Sequence, residues 1–187
     1  MSARQRLAQQ LAAALAAYQE STVIPHCAVC AKPCCRLDTL VLELEWKQVK
    51  ILWKLDESRP AFDRRLASGK GPEEIREGDG LYYIHSKPCP AYDDAGHACR
   101  IYGQEIKPAG CSDFPVYEDG GHVIADLRCE AVDIDGLVAA VAQVVGPEFR
   151  IVRSADKEFA FLVTLSVRPA GGAKPAGKRP RRTKPGA

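Results

Sequence analysis

Residues His26 to Cys35, HCAVCAKPCC, place four cysteines within nine residues in the spacing C-x-x-C-x-x-x-C-C. Thiolates this close together are crowded donors, and a shared soft cation or a disulfide relieves the crowding. The two-residue gap between Cys27 and Cys30 lets one turn aim both sulfurs at a single point, as in zinc knuckles and iron–sulfur loops. Cys34 and Cys35 are neighbours, so their side chains are expected to diverge. One of them then joins Cys27 and Cys30, and the other serves a second site or a separate role. Four more cysteines follow at Cys89, Cys99, Cys111 and Cys129. A local trio completed by a remote cysteine closes many four-sulfur sites, so eight cysteines fill two sites, or fill one and leave spares. All eight are candidate metal ligands, for an iron–sulfur cluster of the [4Fe–4S] kind or for zinc. Cys129, at the end of a strand-like run, reads equally well as a small buried hydrophobe.

The motifs CAVCAKPCC, Cys89-Pro90 and CRIYGQEIKPAGCSDFP (Cys99 to Pro115) resemble the YkgJ-like cysteine-cluster family, a zinc- or iron-chelating domain also found in flagellin lysine-N-methylases. The resemblance covers roughly residues 24 to 130 and implies metal chelation by the clustered thiols. This chain has Lys107 and Ser112 where the family usually has arginine. Neither can form the two parallel bonds by which a guanidinium grips a carboxylate or phosphate, so only the metal role carries over.

Compartment decides between metal and disulfide. The N-terminal apolar run, Leu11 to Ala17, is short and mostly alanine, whereas Leu7, Leu11, Leu15 and Tyr18 fall on one face of a helix. That pattern favours an amphipathic helix over residues 3–19 rather than a signal peptide, and no segment is long enough to span a membrane. A cytoplasmic location follows, where thiols stay reduced and ligate metal. A chain of 187 residues with 46% hydrophobic side chains suits one domain with a real core.

The expected fold is α+β: a small cysteine-rich domain of short strands and several helices, with residues 1–20 as a helix packed on it, 21–167 as its body and 168–187 as a disordered basic tail. Pro25 and Pro33 stiffen the cysteine loop. Residues 37–44 alternate as a strand, and EWKQVKILWKLD puts Trp46, Val49, Leu52 and Trp53 on one helical stripe, with the tryptophans as core anchors. Residues 56–80 are polar, with one helical turn near Phe62 and Leu66, before the strand Leu81–His85. Between Cys89 and Cys99 lies a polar loop, and RIYGQEI is expected to be a short helix ended by Pro108. His122–Cys129 alternates as a strand. Asp133 caps a helix with the stripe Ile134, Leu137, Val138, Val141 and Val145, and a two-stranded hairpin follows.

Seven of the 26 basic residues and no acid lie in 168–187, so residues 1–167 carry 19 basic against 24 acidic side chains, a net of −5. The tail's composition cannot offset its own ordering entropy. Such a tail contacts nucleic acid by counterion release, which gives an alternative function: a zinc-stabilised module that binds nucleic acid. A cysteine nucleophile would need a histidine nearby, and His26 beside Cys27 is the nearest in sequence. Eight thiols suit metal better than one nucleophile, so His26 and His97 are kept as reserve ligands. No metalloprotease, phosphate-loop or dinucleotide fingerprint is present.

Overall fold

In the computed structural model, which describes residues 1–38, 40–85 and 87–171, the chain is α+β. Helix α1 (Ala3–Tyr18) opens with a capping box in which the Ser2 hydroxyl accepts from the Gln5 N–H at 3.2 Å and the Gln5 side chain accepts from the Ser2 N–H at 2.7 Å. Leu11, Leu15 and Tyr18 are buried, as their spacing predicts. The helix does not give way to a loop at this point. It widens into a π-helical stretch (Gln19–Val23) and resumes as α2 (Ile24–Cys27), so that Cys27 is helical. Pro25 lies in the first turn of α2, where a missing N–H is tolerated, and the wider π turn absorbs the bond it cannot make.

Cys34–Arg36 form one 3-10 turn that Leu37 closes in the left-handed region at φ 57°. The strand expected over 37–44 therefore shrinks to β1 (Leu42–Leu44). Helix α3 (Trp46–Leu52) and helix α4 (Arg59–Ala67) follow. The second is nine residues long where a single turn was expected, because Pro60 lies in its first turn and starts the helix instead of breaking it. Strand β2 (Ile75–Gly78), hidden in a polar stretch, pairs with β3 (Leu81–Ile84), and β3 also pairs with β1, giving the antiparallel order β1-β3-β2.

The expected polar loop before Cys99 contains a short ladder, β4 (Tyr92–Asp93) with β5 (Ala98–Cys99). Residues 100–107 form turns instead of the expected helix, and helix α5 (Ala109–Asp113) begins only after Pro108, its N-cap. The residue before a proline is pushed out of the α region, so the helix can form only beyond it. After the cis Phe114–Pro115 bond come β6 (Val116–Asp119) and β7 (His122–Asp126), then α6 (Ile134–Val145), β8 (Phe149–Ala155) and β9 (Leu162–Pro169). The last sheet is antiparallel in the order β6-β7-β9-β8. Asp133 caps α6 through the Asp135 and Gly136 N–H groups at 3.1 and 3.0 Å. Strand β9 runs to Pro169, two residues past the expected end of the body. The tail as far as it spans 172–187 lies outside the described residues.

Two apolar cores result. The first joins α1, α6 and the four-stranded sheet through Leu11, Leu15, Val123, Leu137, Val141 and Leu165. The second joins the three-stranded sheet to α3 and α4 through Leu44, Val49, Phe62, Ile75 and Tyr82. Trp46 packs on this second core, its ring centroid 5.4 Å from Phe62 and 6.1 Å from Tyr82, so the tryptophan is a core anchor. Cys129 packs against the first core and Cys89 and Cys111 against the second.

Candidate metal centre

None of the eight cysteines is in a disulfide. Several sit on short elements with no buried residue of their own: α2, the 3-10 turn Cys34–Arg36, and α5. The cores hold these elements through a few named bonds. Tyr18 at the end of α1 clasps the α6 cap, its hydroxyl donating to the Asp133 carbonyl at 3.1 Å and accepting from the Asp133 N–H at 3.0 Å. This fixes the turn that carries Cys129, whose N–H reaches the Asp126 carbonyl at 3.3 Å. Buried Asp126 also binds the Arg128 N–H at 3.0 Å and its guanidinium at 2.5 Å, which closes the same turn. The Cys89 N–H donates to the Cys35 carbonyl at 2.8 Å, and Arg36 meets Asp94 at 2.6 Å, tying the 3-10 turn to β4 and β5. The Arg36–Asp94 pair is exposed, so it orients more than it stabilises.

Electrostatics divides the thiols into two sets. Burial raises the Cys27 thiol, followed by the charges of Cys34 and Cys30. Burial pushes Cys129 up to about 11, with Cys34, Cys27 and Cys30 adding to it. Burial also raises Cys30, against the Lys32 backbone, with Glu130 and Cys34 contributing. Cys27, Cys30, Cys34 and Cys129 thus influence one another electrostatically, although among the described residues no three of the thiol sulfurs lie within 4.8 Å of one another. In the second set, burial raises Cys89, with Cys99 adding to it, and burial pushes Cys111 up to about 12, with Cys89, Cys34 and Cys99 adding. Cys35 is raised above all by its hydrogen bond to Cys34, then by burial and by the charges of Cys34, Cys99 and Cys89. Cys35 and Cys111, from separate segments, both feel Cys89 and Cys99, while Cys111 also feels Cys34 of the first set.

The adjacent pair is the seam. The Cys35 thiol donates to Cys34, which lowers Cys34 to about 7. The two residues share one 3-10 turn, and Cys34 also acts on Cys111, so the pair stands between the two sets. Lys107 favours the thiolates of Cys27, Cys34 and Cys111, and its Nζ lies 4.2 Å from the centroid of the Tyr102 ring. A cleft of about 640 Å³ lies next to the thiols and shares Tyr102 and Lys107 with their surroundings, but no cysteine lines it.

His26 does not pair with Cys27. Its Nε2 is 2.9 Å from Glu130 Oε1, while the Cys27 thiol points back to the Val23 carbonyl at 3.5 Å, which removes the geometry a Cys27 nucleophile requires. A ring nitrogen of His26, Cys30 Sγ and a Glu130 oxygen all lie within 4.8 Å of one another, close enough to hold a metal ion. His97, the other reserve ligand, meets the Tyr92 hydroxyl at 3.5 Å. Glu130 is the residue that sequence reasoning missed. It sits 104 positions from His26, and its one local signal is adjacency to Cys129.

Under reducing, chelating conditions at pH 7, Cys34 is expected to be the first thiol alkylated by iodoacetamide, since it is exposed and lies at about 7. Roughly half of such a group is thiolate at that pH, against roughly 1 in 10⁵ for a thiol at about 12 such as Cys111. Peptide mapping over a time course checks the order, and Cys111 reacting before Cys34 would contradict it.

Among the described residues no helix is long and apolar enough to cross a membrane. No protein-family model matches the chain, and no curated protein or solved structure matches it either.

Proposed function

We propose that this is a metal-chelating cysteine-cluster protein with two four-thiolate sites, of the kind its motifs resemble. Cys27, Cys30, Cys34 and Cys129 make one site, and Cys35, Cys89, Cys99 and Cys111 make the other. What supports this reading is that Cys129 feels Cys34, Cys27 and Cys30, whereas Cys35 and Cys111 both feel Cys89 and Cys99. Four thiolates without a nitrogen or oxygen donor suit zinc or an iron–sulfur cluster, both of which accept a tetrahedral sulfur array. Closed four-thiolate sites hold the metal firmly and link the two apolar cores through it.

Anaerobic purification followed by metal and acid-labile sulfide analysis tests the reading. The expected result is about two zinc per chain without sulfide, or about eight iron with equivalent sulfide. A colourless chain with neither metal and its cysteines paired as disulfides would sink it.

A further inference from the structure

His26, Cys30 and Glu130 differ from every other thiol neighbourhood in the centre because they offer one nitrogen, one sulfur and one oxygen. Their ligating atoms lie within 4.8 Å of one another, and the His26 and Glu130 side chains are 36% and 42% exposed. Glu130 Oε1 is already held in place, by His26 Nε2 at 2.9 Å and by the Ala31 N–H, from which it accepts at 3.1 Å. Metal–ligand bonds of about 2.0–2.3 Å require only small rotations to draw such a group together. Mixed imidazole, carboxylate and thiolate donors suit a borderline divalent cation, and three protein ligands leave a fourth position for water. Cys30 belongs both to this trio and to the first four-thiolate set.

We propose that His26, Cys30 and Glu130 form a capture site through which a divalent cation, Zn²⁺ or Fe²⁺, enters the first four-thiolate site. This rests on the four-thiolate reading above. A carboxylate and a neutral imidazole bind a cation without first releasing a proton, whereas a thiol must release one. The hydrated ion therefore docks on Glu130 and on the ring nitrogen of neutral His26 that carries no proton, displacing water while the imidazole keeps its other proton, and Cys30 gives its proton to solvent as its sulfur binds. Cys27, Cys34 and Cys129 then replace carboxylate, imidazole and water in turn, each losing its proton to solvent, while Cys30 stays bound throughout. No electron is transferred. The ion never leaves protein ligands between the surface and its final position.

Cobalt(II) is the probe, since sulfur-to-cobalt charge-transfer absorption grows with the number of thiolates bound. Reduced, chelator-treated full-length protein is mixed with substoichiometric Co²⁺ in a stopped-flow instrument. The wild type is expected to show an early, weakly absorbing phase before the four-thiolate spectrum. Glu130→Gln and His26→Gln are each expected to remove the early phase and slow the approach to the same final spectrum by about tenfold or more. The amide introduced by Glu130→Gln keeps an oxygen that can accept from His26 and Ala31, so a merely structural Glu130 predicts an unchanged rate. Rates equal to wild type in both variants would overturn the proposal, as would a final spectrum altered by either, which would make that residue a permanent ligand. A wild-type protein that binds cobalt without ever giving a four-thiolate spectrum instead overturns the reading on which the proposal rests.

Discussion

Cys34→Ser and Cys35→Ser are each expected to remove about half of the bound metal, and each a different half. Each of the two thiols shifts the other, which alone would make the pair a single unit. Their further partners argue otherwise: Cys34 acts on Cys27, Cys30 and Cys129 and also on Cys111, while Cys35 feels Cys89 and Cys99. Serine is a far poorer ligand than thiolate for a soft or borderline ion, so a closed four-sulfur site reduced to three sulfurs loses its metal. A second substitution assigns each half. Adding Cys129→Ser to Cys34→Ser should cost no further metal, because both act on one site, whereas adding it to Cys35→Ser should empty the protein. The measurement is metal per chain for the two single and two double variants, purified side by side under reducing conditions. Loss of all metal from either single variant would mean that the thiols form one shared centre.

Stripping the metal altogether is expected to lower the thermal midpoint by at least about 10 °C. Structural zinc contributes about 10–16 kcal/mol of apparent folding free energy in small peptides. The effect here is smaller, because two apolar cores persist without metal. If about 5 kcal/mol is lost, a chain of this size shifts by about 10–20 °C. Helices α1 and α6 belong to the first core and should keep their far-ultraviolet signal at 20 °C. The elements that bury nothing, α2, α5 and the Cys34 turn, should come loose.

Acid should do the same work as a chelator. Cys27, Cys30 and Cys129 are all raised, as are Cys35, Cys89 and Cys111, so near neutral pH each set holds at least three protons that a metal must displace. Bound metal holds these thiols ionised well below their pKa in the unfolded chain. The stability it confers is therefore present at high pH and lost as pH falls. Apparent affinity should drop by about 10³ per site for each pH unit between about 8 and 6. Competition with a chromophoric chelator across that range measures it, and a flat profile would exclude thiolate ligation.

Periodicity marked the longer elements well. The stripes of α1 and α6 and the pairing of β8 with β9 follow from the spacing of Leu11, Leu15 and Tyr18, from Asp133 ahead of Ile134, and from two β-rich runs around a polar turn. The short elements that carry the thiols are misread for local reasons. Pro25 opens a helix where it is expected to stiffen a loop, and Pro108 begins a helix instead of ending one. Elements of two to five residues such as β4, β5 and α5 carry too few side chains to show a period, and tertiary bonds hold them.

By itself the sequence determined the donor set: eight cysteines at these spacings offer sulfur ligands that would favour soft or borderline metals, because donor type is a property of the residue. Tertiary structure alone decided the grouping. Whether Cys129 is a ligand candidate or a buried hydrophobe depends on the clasp between Tyr18 and Asp133, which joins segments 115 residues apart. Whether His26 serves Cys27 or Glu130 depends likewise on two turns brought together by packing. Coulombic and ligand interactions act over a few ångströms of space, and that distance is set by packing that no local spacing encodes.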